Sequence, residues 1–534
     1  MKTHAKKFCC LLYLAVLLGS PSAQTATLDL TEATIADLNA AFDAGALSSE
    51  QLVEACLARI AAYDEQGPAL NAIMILNPDA LARARELDRE RRDKGPRSPL
   101  HGIPVVLKDN MDTADLPTTA GSFMLQGSVP PDDAFIVRRL RDAGAIVLAK
   151  LNMSEFASGD AMSSLGGPTY NPHDTRRTPS GSSGGTGAAI AAAYAPFGLG
   201  TDTGGSVRGP SSANGIAGLK PTHGLLSRDG IVPLALSFDT AGPMARNVYD
   251  VAVALGVMTG VDPSDEATRK SEARFEADYT QFLDKDALAG ARIGVARDFM
   301  GSDEEVDWVI EAALETMRNA GAEIVDVELP SWLLDARGRF YRAIRYREFR
   351  AQVADYLATT GPDYPKSLDE LIERSMTLTA PRDDGAIPNP GRWQLMMKEV
   401  ESGELTDSEY VSVRDHALPL IRGIVGGLIE DENLDAIVYP TSHVRPERVD
   451  PDPAPDDAPG SGGSPVTIAN LTGFPDLIVP AGFTGRGLPV TISFLGAAFS
   501  EPRLLGLGYA FEQRTKARRL PVTTPRLPTD IVRW

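Results

Sequence analysis

The chain has 534 residues, with 52 basic and 72 acidic side chains, and a formal net charge of −20. Hydrophobic residues make up 43% and charged residues 23% of the chain, which is typical of a soluble globular protein and excludes a collagen-like or disordered chain. The length allows one large domain or two to three ordinary ones. The acidic balance disfavours nucleic acid and anionic membranes as partners, because phosphate groups are bound by Lys and Arg.

Residues 1–26 have the three parts of a secretory signal peptide. Lysines at positions 2, 6 and 7 precede an apolar run at 8–19, and small residues follow up to Ala26. This run is too short to span a bilayer comfortably, and a buried N-terminal helix is the alternative. We therefore expect an exported protein, periplasmic or secreted, with a mature chain of 27–534. Of the three cysteines only Cys56 would remain, so no internal disulfide could form.

Helix-like and strand-like patterns alternate along the mature chain, which predicts an α/β fold with a buried sheet. No internal repeat and no second long apolar run occurs in the sequence. A helix is predicted to begin at Ser48–Ser49, and another at Asn77-Pro78, where Asn would be the N-cap. The later elements, in order, are a strand at 102–108, a helix and strand at 134–143 and 146–148, and two more helix–strand pairs at 309–327 and 418–439.

Two stretches interrupt this alternation. Residues 157–187 are rich in Gly, Ser, Thr and Pro and show little periodicity. Residues 445–465 are a Pro/Asp/Gly-rich segment that cannot form an ordinary helix or strand. We interpret the second stretch as a surface loop within one domain, because the elements resumed at 466–515 are too few for an independent domain.

The tract PSGSSGGTG at 179–187 leads directly into a helix-forming run. A glycine-rich turn before a helix exposes unpaired N–H groups that favour a partial negative charge. On its own the tract could equally be a flexible loop. It also matches the nucleophile elbow of α/β-hydrolases with Ser183 at its centre. That alternative needs a strand before Gly181, and residues 171–178 are polar and contain proline.

A second glycine-bearing motif, GTDTGGSVR, occupies residues 200–208. Two glycines ahead of Ser206 allow a tight turn that points several N–H groups one way, as an oxyanion hole requires. An ordinary turn is the alternative. A dinucleotide-binding motif starting at Gly198 is excluded because position 203 is Thr, and no phosphate-binding loop signature occurs.

Lys108 ends the apolar strand run and precedes Asp109-Asn110. A lysine at this position is either a surface residue or a partly buried one. Burial disfavours the charged form and would lower the pKa of Lys108, which would make its amine usable as a base.

Together these three features resemble the amidase signature family. The similarity covers nearly all of the mature chain and extends to further short motifs. Within the family it is strongest to bacterial peptide amidases, at residues 76–93, 133–155, 227–244 and 500–521. The matching motifs are GIPVVLKDN at 102–110, the tract at 180–188, residues 200–210, GIAGLKPT at 215–222, DTAGPM at 239–244, GFP at 473–475 and GLPV at 487–490.

The resemblance implies a Ser-Ser-Lys triad on a single large α/β domain, with a mixed β-sheet covered by helices on both sides. Ser206 would be the nucleophile, Ser182, in a cis peptide, would relay its proton, and Lys108 would be the terminal base. The remaining site residues that it implies are oxyanion donors (Thr203, Gly204 and Gly205, with Ser206), a main-chain substrate contact (Ala157) and supporting residues (Ser183, Asp202 and Arg208).

One departure from the family pattern is Ser180-Gly181, where two glycines often stand before the paired serines. Gly181 is kept directly before Ser182, so the relay is still expected. The mechanism requires no cofactor or metal, and the histidines show no metal-ligand spacing (His101, His173, His223, His416 and His443). We expect His101, beside the strand of Lys108, to be structural.

The predicted function is hydrolysis of a carboxamide through an acyl-enzyme, with a small-molecule or peptide amide as substrate. Peptide C-terminal amides are one candidate; aryl or fatty amides and esters are alternatives. Export argues against the transamidating subunit that acts on aminoacyl-tRNA in the cytosol. A binding protein without activity and an α/β-hydrolase using Ser183 are the alternatives from other classes. The sequence leaves the oligomeric state open.

Overall fold

The structure, a computed structural model, describes residues 27–159, 161–449 and 465–534. The predicted signal peptide at 1–26 lies outside these residues, as do positions 450–464 of the predicted surface loop. In the described part of the chain, no helix is both long enough and apolar enough to cross a membrane.

Strands and helices alternate through the described residues, as the sequence pattern predicts. The strands are β1 (Thr27–Asp29), β2 (Ile73–Leu76), β3 (Pro104–Lys108), β4 (Ile146–Leu151), β5 (Met162–Ser163), β6 (Gly167–Pro168), β7 (Phe197–Asp202), β8 (Ala217–Lys220), β9 (Thr240–Ala245), β10 (Arg292–Ala296), β11 (Glu323–Val327), β12 (Ala436–Pro440), β13 (Asp476–Phe483), β14 (Pro489–Leu495) and β15 (Ile531–Arg533). The helices are α1 (Ile35–Asp43), α2 (Ser49–Tyr63), α3 (Ala80–Lys94), α4 (Phe135–Asp142), α5 (Gly184–Ala191), α6 (Arg208–Ala213), α7 (Val248–Met258), α8 (Glu304–Asn319), α9 (Ser331–Ala358), α10 (Leu368–Ser375), α11 (Pro390–Glu401), α12 (Ser408–Ser412), α13 (Leu418–Asp431), α14 (Thr467–Thr472) and α15 (Glu501–Thr515).

A mixed sheet forms the centre of the molecule. Among the described residues it has 11 strands in the order β11-β10-β12-β14-β13-β8-β9-β7-β3-β4-β2. Strand β3 is parallel to both β4 and β7, whereas β9 is antiparallel to both β7 and β8. The predicted fold class, a single α/β domain with a large mixed sheet, is confirmed.

Helices cover both faces of this sheet. Gly218 of β8 lies against Ser211 of α6, and Gly198 of β7 lies against Thr186 of α5, on one face. Leu477 of β13, which points to the opposite face, packs against Gly508 of α15. The strands between these layers are almost entirely buried, which accounts for their continuous apolar runs in the sequence.

Two predicted helix starts are wrong by a few residues. The second helix begins at Ala80 after the N-cap Asp79, rather than at Asn77. The Asn77 side chain instead donates to the Val147 carbonyl at 2.7 Å and accepts the Asp79 N–H at 3.0 Å, so it fastens the turn to β4. Helix α5 begins at Gly184, inside the tract expected to be a loop, because burial overrides the low helix propensity of glycine.

Helices α9, α10 and α11 pack beside the carboxyl end of β7 and form a separate apolar cluster with the segments around residues 153–157 and 232–234. The rings of Phe156 and Phe349 meet edge to face with their centroids 6.1 Å apart. In a third cluster, Tyr341 of α9 stacks on Phe238 with centroids 5.5 Å apart. These contacts fix α9 against the loop that follows β7.

Candidate active site

The carboxyl ends of β3 and β7 place two of the predicted site segments side by side. Lys108 is the last residue of β3 and Asp202 is the last residue of β7. The two strands are parallel neighbours, with Leu107 paired with Leu199. Parallel strands end at the same edge of a sheet, where α/β proteins commonly hold their ligands. Lys108 therefore lies close to the loop that carries Ser206.

The side chain of Lys108 is completely buried and has two hydroxyl partners. Its Nζ lies 2.6 Å from Ser182 Oγ and 2.8 Å from Thr201 Oγ1. Burial lowers the pKa of Lys108 to about 7, although the charges of Asp202 and Asp239 raise it. The amine can therefore be neutral near pH 7, and a neutral amine can accept a proton from the hydroxyl beside it.

Ser182 is joined to the loop of Ser206 through backbone hydrogen bonds. The Gly181–Ser182 peptide bond is cis, and the Ser182 carbonyl accepts the Ser154 N–H at 3.0 Å. The next residue, Ser183, donates its N–H to the Ser206 carbonyl at 3.3 Å. Ser182 is 2% exposed, whereas Ser206 is partly open to solvent. The three predicted triad residues thus lie together, with Ser206 on the accessible side.

Asp202 holds the turn between β7 and α6 in place. Its carboxylate accepts the backbone N–H of Gly205 at 2.9 Å and that of Val207 at 3.1 Å. Burial would raise the pKa of Asp202, but the charge and hydrogen bonds of Arg208, with a bond from Asn470, outweigh it and hold the pKa below its usual value. Asp202 therefore remains ionised and fixes the shape of the 203–207 turn.

Arg208 is buried at the centre of an ionic network. It binds both oxygens of Asp202 through Nε and Nη2, each at 3.0 Å, and it reaches Asp476 at 2.9 Å through Nη1. Burial would lower the pKa of Arg208, but Asp202 and Asp476 raise it above its ordinary value. The network links the turn after β7 to β13, so the predicted supporting positions of Asp202 and Arg208 have a clear structural basis.

Known proteins resemble this chain over most of its length. The family model described as Amidase matches residues 51–505. The chain belongs to this family.

The most similar proteins of known structure include the peptide amidase of Stenotrophomonas maltophilia. The native form is 41% identical with a TM-score of 0.82, covering 92% of this chain and 98% of that one. A complex of peptide amidase with the competitive inhibitor chymostatin is also 41% identical, with a TM-score of 0.83, 92% of this chain and 99% of that chain.

A sequence relative is found in the glutamyl-tRNA(Gln) amidotransferase of Halorhodospira halophila, of which it forms one subunit. It is 36% identical over 499 residues, which cover 90% of this chain and 97% of the relative. Family membership confirms the predicted class of enzyme, a hydrolase acting on amide C–N bonds.

The elbow alternative for Ser183 does not fit this amidase. No strand precedes Gly181 within the described residues 169–183. Ser183 is fully buried, and its Oγ donates to the Thr201 carbonyl and accepts the Thr201 N–H, both at 3.3 Å. Gly200 leaves the room for this contact, because a Cβ there would lie 2.7 Å from Ser183 Oγ. Ser183 therefore ties α5 to β7, as a supporting residue would.

Two predicted main-chain contacts have partners within the protein. The Gly205 N–H, assigned to the oxyanion hole, is hydrogen-bonded to Asp202, so an oxyanion would have to share or replace that bond. The Ala157 N–H donates to the Ser154 carbonyl at 2.8 Å, which leaves the Ala157 carbonyl for any substrate contact. The oxyanion roles of Thr203, Gly204 and Ser206 stay predictions.

Sequence reasoning missed several residues of the site. Thr201 is the second partner of Lys108, and Asp239 accepts the Thr203 hydroxyl and the N–H groups of Leu234 and Ala235. Both lie in motifs that carried the family resemblance, so they could have been singled out. Asn470 and Tyr341 are far away in the chain and give no local signal.

The histidines are placed as structural residues where their contacts are described. The ring of His101 is buried and its Nε2 lies 2.9 Å from the Leu87 carbonyl. His223 Nε2 lies 2.9 Å from the Leu236 carbonyl. Within residues 27–159, 161–449 and 465–534, no three His, Cys, Asp or Glu side chains are grouped as a metal site would need.

The close packing of Gly204 against α9 gives a first testable prediction. A Cβ at Gly204 would lie 2.6 Å from Tyr341 Oη and 2.8 Å from its Cζ. Gly204→Ala should therefore displace the turn or α9, lower stability by about 1–3 kcal/mol and reduce amide hydrolysis. Thermal melting and initial rates measure the two effects.

The control for this change is Gly391→Ala in α11, where a Cβ would meet nothing within 4 Å. It should leave the rate unchanged and stability equal or slightly higher. Adding Tyr341→Ala to Gly204→Ala should restore part of the lost rate. A double variant no better than its parent would show that contact with Tyr341 is not the cause.

Proposed function

We propose that this amidase hydrolyses a carboxamide through an acyl-enzyme formed on Ser206. The observation that carries the proposal is the buried contact of 2.6 Å between Lys108 Nζ and Ser182 Oγ. A serine hydroxyl is a weak nucleophile until a neighbour takes its proton. The buried lysine, with its lowered pKa, can be that final acceptor.

The proposed first half-reaction moves one proton along the three residues. Ser206 Oγ attacks the amide carbonyl carbon while its proton passes to Ser182 Oγ, whose own proton passes to Lys108 Nζ. Backbone N–H groups of the turn at 203–206 stabilise the developing oxyanion. As the C–N bond breaks, the proton returns along the same path to the leaving nitrogen, which departs as ammonia or an amine.

The second half-reaction uses water in place of the serine. Water attacks the acyl carbon and gives its proton through Ser182 to Lys108. The bond between the acyl carbon and Ser206 Oγ then breaks, and Ser206 regains a proton. A carboxylic acid leaves and the three residues return to their starting state.

We infer that peptide C-terminal amides are the substrates. The 41% identity to peptide amidase structures supports this choice. A cavity of about 660 Å³ beside Ser180, Gly181 and Gly209 adds room for a substrate larger than a simple amide. Its wall also includes Val466, and a Cβ added at Gly205 would lie 2.5 Å from that side chain.

Ammonia release from a panel of peptide amides, aryl amides and fatty amides tests the substrate class. Faster turnover of peptide amides by the purified mature protein supports the proposal, and a preference for aryl or fatty amides, or for esters, overturns it. Labelling with a fluorophosphonate tests activity itself, because a binding protein without a functional nucleophile would not react at Ser206.

We propose that the enzyme is exported and acts outside the cytosol. The basic start, apolar run and small residues of positions 1–26 support this proposal. Such a location favours hydrolysis over the transfer to tRNA named for the amidotransferase relative. Cell fractionation with N-terminal sequencing of the mature protein tests it, and a cytosolic enzyme that keeps residues 1–26 would contradict it.

Chelation tests the proposed acyl-enzyme route in another way. Because an amine base and a serine nucleophile supply the chemistry, activity should survive exhaustive dialysis against EDTA at an unchanged rate. Loss of activity that a single divalent ion restores would contradict the triad.

A further inference from the structure

A second cavity lies at the other end of the sheet from the candidate active site. It has a volume of about 420 Å³ and lies between α1, the start of α7 and the end of α15. Arg246, on its wall, follows Ala245, which pairs with Phe197 at the start of β7. Asp202 is at the far end of that strand, about 17 Å away at about 3.3 Å per residue. The cavity is therefore separate from the triad.

Two buried guanidinium groups on the cavity wall have N–H groups without hydrogen-bond partners among the described residues. Arg246 is 3% exposed, and its Nη1 and Nη2 donate to the Ala195 and Ala33 carbonyls, while Nε has no partner. The side chain of Arg518 is 10% exposed, and Nη1 donates to Glu32 at 2.8 Å. Its Nε and Nη2 have no partner.

The unused edge of Arg518 is the one that binds carboxylates elsewhere in this protein. Arg208 uses Nε and Nη2 to hold both oxygens of Asp202, and Arg176 uses the same pair for Asp174 at 2.9 Å. Two parallel N–H groups match the two oxygens of a carboxylate. A buried guanidinium with this edge unpaired is costly unless a ligand completes it.

The acidic residues on the cavity wall leave this positive charge uncompensated. Glu32 is engaged by Arg518 Nη1, and Asp37 accepts the N–H and hydroxyl of Thr34 as a helix cap. Burial raises the pKa of Glu512 to about 8, so its carboxyl is mostly protonated at pH 7. Burial lowers the pKa of Arg518 to about 10; Glu32 raises it and Arg246 lowers it.

We propose that this cavity binds a small organic carboxylate. Its two oxygens would lie on the Nε and Nη2 edge of Arg518, with Arg246 Nε nearby, and its apolar part against Tyr249 and Tyr509, which also line the cavity. The cavity is larger than a phosphate ion needs, and its aromatic walls suit a ligand with a hydrocarbon body. The site does not depend on the proposed catalytic mechanism.

Calorimetric titration of the whole protein at pH 7 with sodium benzoate tests the site. Benzoate should bind at one equivalent per chain, and the uncharged analogue benzyl alcohol should not. Arg518→Ala should weaken benzoate binding at least about tenfold, because it removes the paired donors. Inorganic phosphate that binds as well as benzoate, or no benzoate binding, would overturn the proposal.

A second variant avoids the risk that loss of Arg518 disturbs the fold. Ala36 is exposed on α1 and lines the cavity, whereas Ala40, also exposed, lies one turn further along and does not line it. Ala36→Glu should place a tethered carboxylate at the guanidinium groups and block benzoate, while Ala40→Glu should bind as the wild type does. Equal benzoate binding by both variants would place benzoate elsewhere and refute the site.

Discussion

Ser206→Ala is expected to abolish amide hydrolysis while leaving the fold intact. The change removes only Oγ, and the Ser206 carbonyl keeps its hydrogen bond from the Ser183 N–H. Removal of an activated serine nucleophile costs on the order of 10⁶-fold in kcat, since the remaining groups cannot form the acyl-enzyme. Rates of ammonia release, thermal melting and fluorophosphonate labelling check the activity, the fold and the site of attack.

Ser183→Ala is the matched control, because it removes a hydroxyl from the neighbouring serine. Ser183 Oγ is hydrogen-bonded to the Thr201 backbone, so its loss should cost about 1 kcal/mol of stability and much less rate than the loss of Ser206 Oγ. An inactive Ser183→Ala together with an active, fluorophosphonate-reactive Ser206→Ala would reverse the assignment of the nucleophile.

The sequence was informative where chemistry and backbone geometry are encoded locally. Lys108, Ser182 and Ser206 stand in short motifs whose residue types are needed together, and the strands that carry them are continuous apolar runs. Alternating apolar helices and strands were enough to predict the α/β class. Short-range patterns of this kind depend on neighbours in the chain, which the sequence shows directly.

The rest of the site depends on contacts between distant segments. Arg208 joins Asp202 to Asp476, which lies 268 residues after Arg208 in the chain. Tyr341 reaches Gly204 from a helix more than a hundred residues later in the chain. No local pattern marks such partners, because only the folded sheet brings them together. The early start of α5 was missed for the same reason: packing against β7 offsets the cost of its glycines.

The pH dependence of the rate tests Lys108 as a base. Burial lowers the pKa of Lys108 from its ordinary value of 10.5 to about 7, so the amine is charged below that pH and neutral above it. Only the neutral form can accept the Ser182 proton. We therefore expect kcat/KM to rise with pH through about 7 and then level off, measured on a neutral amide so that the substrate does not titrate.

Substitution of Lys108 separates a proton acceptor from a fixed positive charge. Lys108→Ala should lose about 10²–10⁴-fold in rate, the usual share of general acid–base catalysis, and more if the relay acts as a unit. Lys108→Arg should be no better, because a guanidinium cannot give up its proton at these pH values. In both variants the rise of the residual rate near pH 7 should disappear. A Lys108→Arg enzyme with a near-wild-type rate and the same pH profile would show that the residue acts by charge alone, and the proton would then need an acceptor other than the residue at 108.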